Sequence, residues 1–77
     1  MSDEVALVDL SLYPVLMTVQ NVAEVLQLST HAVRARIRAR DLASVKIGHS
    51  VRVPRVDLAR YIAERTIPSR ASQRGSA

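Results

Sequence analysis

The chain has 77 residues, 48% of them apolar, with no Phe, Trp or Cys and with Tyr13 and Tyr61 as its aromatics. That length allows one small domain whose core is built from Val, Leu, Ile and Ala, and the missing cysteines exclude a disulfide framework and a thiolate metal site. The formal net charge is +4.

The charge is unevenly spread. Residues 1–17 carry Asp3, Glu4 and Asp9 without a Lys or Arg, whereas residues 18–66 hold nine basic and four acidic residues, and Arg70 and Arg74 follow. A basic domain of this size points to a polyanion partner; solubility alone is the plainer reading. The acidic N-terminus does not make a signal peptide, and no apolar run approaches the length of a bilayer span. A soluble cytoplasmic protein without a membrane partner is expected.

Residues 1–16 read as an N-terminal arm of undetermined structure. Val5, Leu7, Leu10, Leu12, Val15 and Leu16 fit neither strict alternation nor one helical stripe, and Pro14 stops whatever precedes it. Either it packs on the domain as a short strand or helix, or it is a sticky arm that orders on a partner. Leu16 and Met17 are expected in the core.

Thr18 reads as a helix N-cap. Asn21, three residues on, stands where a capping box prefers Glu or Gln, so the box is expected to be half made. Val19, Val22, Ala23 and Leu26 then follow at i, i+3, i+4 and i+7, an amphipathic helix of about ten residues. Only Gln27 and Leu28 separate it from Ser29, which caps a second helix. Two helices so closely joined cross at a large angle, with Leu28, Val33 and Ile37 filling the angle.

The second helix, from Ser29 to Arg40, has an arginine at every second position from Arg34 onward. Val33 and Ile37 fall on one side, and His31, Arg34, Ala35 and Arg38 on roughly the other. That is an apolar back with a basic front. Arg36 and Arg40 lie nearer the core side, as packed aliphatic stems or phosphate contacts.

Past Leu42 the period changes. Val45, Ile47, Val51 and Val53 alternate with Lys46, His49, Ser50 and Arg52 around Gly48, a β-hairpin with one apolar and one polar face. Pro54 ends it. Asp57 suits the start of a third helix, Leu58, Tyr61 and Ile62 form its inward stripe, and Arg65 its last turn. Residues 67–77 lack periodicity and read as a disordered basic tail.

The order of these parts resembles a family. Thr18-Val19-Gln20-Asn21-Val22-Ala23-Glu24-Val25-Leu26 looks like the opening T-x-x-E-x-A-x-x-L of the excisionase-type, MerR-like winged helix-turn-helix DNA-binding domains. Residues 29–42 are similar to their S-x-x-T-V-x-x-x-I-x-x-G-x-L segment. Val45-Lys46-Ile47-Gly48-His49-Ser50-Val51-Arg52-Val53-Pro54-Arg55-Val56-Asp57-Leu58 looks like their V-R-I-G-R-S-x-R-I-P-R-x-D-L wing and following helix. The likeness covers about residues 16–65 without a gap. Gln27 and Arg40 depart from it where the family has glycine, Arg36 replaces a large apolar residue, Val51 an aromatic one, and Asn21 the capping Glu.

The expected fold is therefore mainly α with a small β-hairpin: a winged helix-turn-helix domain over residues 17–66. The resemblance implies double-stranded DNA as partner, with the second helix in the major groove. Ser29 and Thr30 would meet phosphate at its N-terminus. Arg34 and Arg38 would reach guanine O6 and N7 or phosphate, His31 either, and Ala35 a thymine methyl. Lys46, His49, Ser50 and Arg52 of the wing would follow the backbone or the minor groove, with Arg36, Arg40 and Arg55 as further phosphate contacts. The bland alternatives are a solvated arginine face and an ordinary turn at His49 and Ser50.

No cofactor, metal site or catalytic group is expected. The two histidines lie far apart, no nucleophile has an evident base, and the glycines, Gly48 and Gly75, make no phosphate loop. Scarce aromatics argue against stacking of single-stranded bases. Within the family, the implied role is a phage excisionase that bends attachment-site DNA and directs an integrase toward excision, with self-association on DNA, in a bacterial cell or infected host. A small effectorless transcriptional regulator is the alternative, and a protein-interaction module using the arm is a third.

Overall fold

The computed structural model describes residues 10–69. In chain order the elements are β1 (Leu16–Thr18), α1 (Val19–Leu26), α2 (Thr30–Arg38), β2 (Val45–Ile47), β3 (Ser50–Pro54) and α3 (Arg55–Arg65). This is the winged helix-turn-helix arrangement: two closely joined helices, a hairpin and a third helix. The expectations for residues 1–9 and 70–77 lie outside the described residues.

One strand, β1, lies at the end of the segment for which the sequence leaves strand, helix and arm open. β1 pairs antiparallel with β3, Met17 opposite Val53 and Thr18 opposite Arg52, so the hairpin becomes a three-stranded sheet of order β1-β3-β2. Three residues are too few to show an alternation of their own. The pairing also corrects one expected core residue. Neighbours on a strand point to opposite faces, so Met17 is fully buried while Leu16 is 36% exposed.

The core takes one fully buried side chain from each of five elements: Met17 from β1, Val22 from α1, Val33 from α2, Val53 from β3 and Leu58 from α3. Leu10, Val19, Leu42 and Tyr61 complete it. Of the three residues expected between α1 and α2, Val33 is buried, Ile37 half-buried and Leu28 exposed. Leu10 belongs to the segment read as an arm, and that segment is tied down further on. The Arg55 guanidinium donates to the carbonyls of Tyr13 at 2.7 Å and Ser11 at 3.4 Å, and the Arg55 N–H donates to the Val15 carbonyl at 2.7 Å.

The helix boundaries have clear causes. Thr18 Oγ1 accepts from the Asn21 N–H at 3.0 Å, and Asn21 Oδ1 accepts from the Thr18 N–H at 3.1 Å. The capping box is thus complete, because an Asn side chain presents the same amide oxygen as Gln from a shorter arm. Ser29 Oγ caps α2 by accepting from the Ala32 N–H at 3.0 Å.

Both helices stop in the same way. Gln27 is left-handed (φ 56°) and the Leu28 N–H returns to the Ala23 carbonyl; Arg40 is left-handed (φ 64°) and the Asp41 N–H returns to the Arg36 carbonyl. These are Schellman closures made without the usual glycine. Left-handed backbone costs a side-chain-bearing residue about 1–3 kcal/mol, and the fold tolerates it twice.

The hairpin turn changes which residues share a face. Gly48 and His49 form a two-residue loop, with Gly48 supplying the positive φ of 61° at its first position. Ile47 then pairs with Ser50 and Val45 with Arg52. Directly paired residues lie on the same face. Val45 and Ile47 therefore share the outer face with Ser50 and Arg52, while Val51 and Val53 face inward beside Lys46. The expected single apolar face is corrected: Val45 and Ile47 are 37% and 56% exposed.

The C-terminal end of α3 is fastened to the turn after α2. Arg65 Nη2 lies 2.6 Å from Asp41 Oδ1, Nη1 donates to the Tyr61 carbonyl at 3.3 Å, and the guanidinium carbon sits 3.7 Å from the Tyr61 ring centroid. An exposed ion pair contributes under about 1 kcal/mol and the ring contact a similar amount. Arg65→Ala is expected to lower unfolding free energy by about 1–2 kcal/mol, summing those two contributions, and Arg65→Lys by less; denaturant titration measures both. In the same assay Arg40→Gly is expected to raise stability by about 0.5–1 kcal/mol, the relieved strain less the added freedom of the unfolded chain.

Candidate nucleic-acid interface

The basic side chains fall into two sets. Arg55, Arg60 and Arg65 are engaged within the domain: Arg55 with carbonyls 11 and 13, Arg60 with Asp57 at 2.9 Å, and Arg65 with Asp41 and Tyr61. Arg34, Arg36, Arg38 and Arg40, and Lys46 of β2, make no side-chain hydrogen bond or ion pair among the described residues. All five are exposed. No acidic residue lies on α2 to compensate them. The uncompensated charge is concentrated on α2 and its flanks.

Along α2, Thr30, His31, Arg34 and Arg38 are exposed, and Val33 is buried on the opposite side. Ala35 is half-buried, at the border of the front and not in its middle. Ser29 uses its Oγ lone pair for the cap, which leaves its hydroxyl hydrogen free to donate.

Of the two expectations for Arg36 and Arg40, the packed aliphatic stem is corrected and the phosphate contact is left standing. Both are exposed and neither is packed into the core. The helix ends at Arg38, and the left-handed turn at Arg40 swings that residue out of the helical path that would have taken it inward. Arg36 lies at the edge of the stripe marked by Val33 and half-buried Ile37. Arg55, expected as a further phosphate contact, uses its Nη1 to hold the 11–13 turn against the start of α3.

The structure brings helix and wing together in one cleft of about 330 Å³. Thr30 and Arg34 contribute from α2, and His49, Ser50 and Arg52 from the wing. Arg52 Nη1 donates back to the Val51 carbonyl at 3.0 Å, which leaves most of its fork free. Ser29, His31, Ala35, Arg38 and Lys46 lie outside the cleft lining, and Arg40 lines other hollows, one with Leu42 and Ala43 and one with Asp41, Asp57 and Glu64. The cleft has a third wall that sequence reasoning did not supply, Val19 and Gln20 in the first turn of α1. Helical spacing identifies Gln20 as polar and outward, but only the crossing of α1 over α2 turns that face toward the wing. Among the described residues no group of His, Asp and Glu is arranged to hold a metal ion, and no helix is long and apolar enough to cross a membrane.

A two-helix unit that presents an uncompensated basic helix beside a basic hairpin defines a DNA-binding domain. The family comparison agrees: the model for the helix-turn-helix domain matches residues 16–66, and the chain belongs to that family. No curated protein and no solved structure matches significantly. The protein is a helix-turn-helix DNA-binding protein.

The two sets of basic residues should separate in binding measurements. Arg34→Ala is expected to weaken binding to a selected DNA site by about 1–3 kcal/mol. Arg60→Ala, which removes a guanidinium already paired with Asp57, is expected to change it by under about 0.5 kcal/mol, as for a surface substitution. Fluorescence anisotropy at fixed salt distinguishes them.

Proposed function

We propose that the protein reads double-stranded DNA with α2 in the major groove and the β2–β3 hairpin on the adjacent backbone and minor groove, and that it serves as an excisionase. The observation that carries the docking is the uncompensated arginine front of α2, whose Arg34 shares a cleft with wing residues His49, Ser50 and Arg52. In this reading Arg34 and Arg38 read guanine or grip phosphate, His31 does either, and Ala35 lies against a thymine methyl. Ser29 and Thr30 donate to phosphate at the helix N-terminus. His49, Ser50 and Arg52 hold the neighbouring strand, Lys46 reaches phosphate from the other face of the hairpin, and Arg36 and Arg40 add phosphate contacts.

The excisionase role is supported by the resemblance of the helix-turn-helix and the V-K-I-G-H-S-V-R-V-P-R-V-D-L stretch to that family. A domain that grips two adjacent grooves at once favours a bent duplex, because bending brings more backbone onto the basic surface. Bent attachment-site DNA is a substrate that an integrase partner can cut in the excisive direction. Copies bound side by side at repeated sites would add affinity that one small interface lacks.

The direct test is reconstituted recombination with the cognate integrase. Adding the protein is expected to turn on excision and suppress integration, and Arg34→Ala to abolish both effects. If neither reaction responds while specific DNA binding persists, the excisionase role fails and a small transcriptional regulator is favoured.

A further inference from the structure

Part of the exposed apolar surface is gathered in one place. Leu12, Val15 and Val56 all face solvent, Leu12 with 98% of its surface. Arg55 draws them together: its Nη1 donates to the Ser11 and Tyr13 carbonyls on either side of Leu12, and its N–H donates to the Val15 carbonyl. Val56 is the next residue. From there α3 presents exposed Val56, Arg60 and Ala63 at i, i+4 and i+7, on the side away from buried Leu58 and Tyr61, and exposed Ile67 lies just past the helix end. None of these residues lines the cleft of α2 and the wing. A gathered apolar surface of this kind marks an interaction site.

We propose that this face pairs with the same face of a second copy of the chain, the two α3 helices lying antiparallel about a twofold axis. Such an interface has to be self-complementary, each contact recurring with the roles exchanged. The face of α3 meets that condition. Antiparallel pairing centred beside Ile62 sets Arg60 of each copy against Glu64 of the other. It also sets the Leu12, Val15 and Val56 end of each copy against Ile67 of the other. Ala63, near the middle, lets the helices approach closely. Arg60 and Glu64 have side chains 62% exposed, so both can take a partner across the axis beside their bonds within the chain. Charge favours a second copy over DNA as the occupant. Asp57, Arg60 and Glu64 leave this side of α3 without a positive surplus, whereas the arginines of α2 repel their own copy and attract phosphate. So few large apolar side chains make a weak interface beside the ~20–30 residues a side of a stable one. The pairing stands apart from the DNA docking and leaves the cleft open.

Sedimentation velocity of the full chain without DNA, followed up to millimolar concentration, tests the pairing. The wild-type protein is expected to pass from monomer to dimer as concentration rises. Leu12→Ser is expected to weaken the dimer by more than about tenfold, since a twofold interface counts each loss twice. Arg60→Glu and Glu64→Arg are each expected to weaken it by setting like charges together, and the double variant Arg60→Glu/Glu64→Arg to restore it. Thermal unfolding of each variant separates these effects from loss of fold. A chain that stays monomeric throughout overturns the proposal. So does a dimer indifferent to Leu12→Ser, or a charge exchange that fails to restore association. If the chain is monomeric and Leu12→Ser abolishes reconstituted excision while DNA binding persists, the face belongs to the integrase instead.

Discussion

The structure depends on how little holds the arginine-rich helix α2 in place. α2 contributes one fully buried side chain, Val33, and half-buried Ala32, Ala35 and Ile37. Full burial of a valine is worth about 1.5–3 kcal/mol. Against it stands the mutual repulsion of Arg34 and Arg38 at i, i+4, about 0.2–0.5 kcal/mol for such a pair, with Arg36 and Arg40 nearby. The helix is therefore fixed at its ends: the Ser29 cap at the start, the left-handed closure at Arg40, and the Asp41–Arg65–Tyr61 contacts that fasten the following turn to α3. End restraints leave the middle of the helix free to carry charge.

That division ties energetics to function. Uncompensated arginines destabilise the isolated domain slightly and become favourable once a phosphate chain supplies the missing negative charge. The arginines whose packing matters to the fold, Arg55 and Arg65, are the ones already bonded to protein acceptors. The free ones sit where nothing in the domain needs them. Segregation of this kind is a stronger indication of a polyanion surface than the net charge of +4, which solubility alone could explain.

Most of the fold is legible in the sequence because its helices obey local rules. Thr18 and Ser29 are caps by residue type, Val19, Val22 and Leu26 carry a helical period, and Leu58 and Tyr61 mark one face of α3. What was not legible depends on pairing between distant residues. β1 exists only because Met17 lies opposite Val53, and Val45 and Ile47 face outward only because the Gly48–His49 loop pairs residues of opposite parity. The site divides likewise. The arginine front follows from one helix read alone, whereas Gln20 at the cleft follows from how two helices cross.

The two left-handed residues show where local rules and function part company. Glycine at either position would close the helix without strain. Gln27 has a local compensation, since its Nε2 donates to the Glu24 carbonyl at 2.7 Å and satisfies one of the carbonyls that α1 leaves open. Arg40 has no comparable side-chain bond among the described residues. Its guanidinium gains only from lying just past the C-terminal end of α2, where positive charge is favoured by a few tenths of a kcal/mol to about 1. That gain is smaller than the strain of about 1–3 kcal/mol, so the isolated domain does not account for an arginine there. A charged side chain held at a strained position beside an uncompensated basic helix fits the phosphate contact proposed for it.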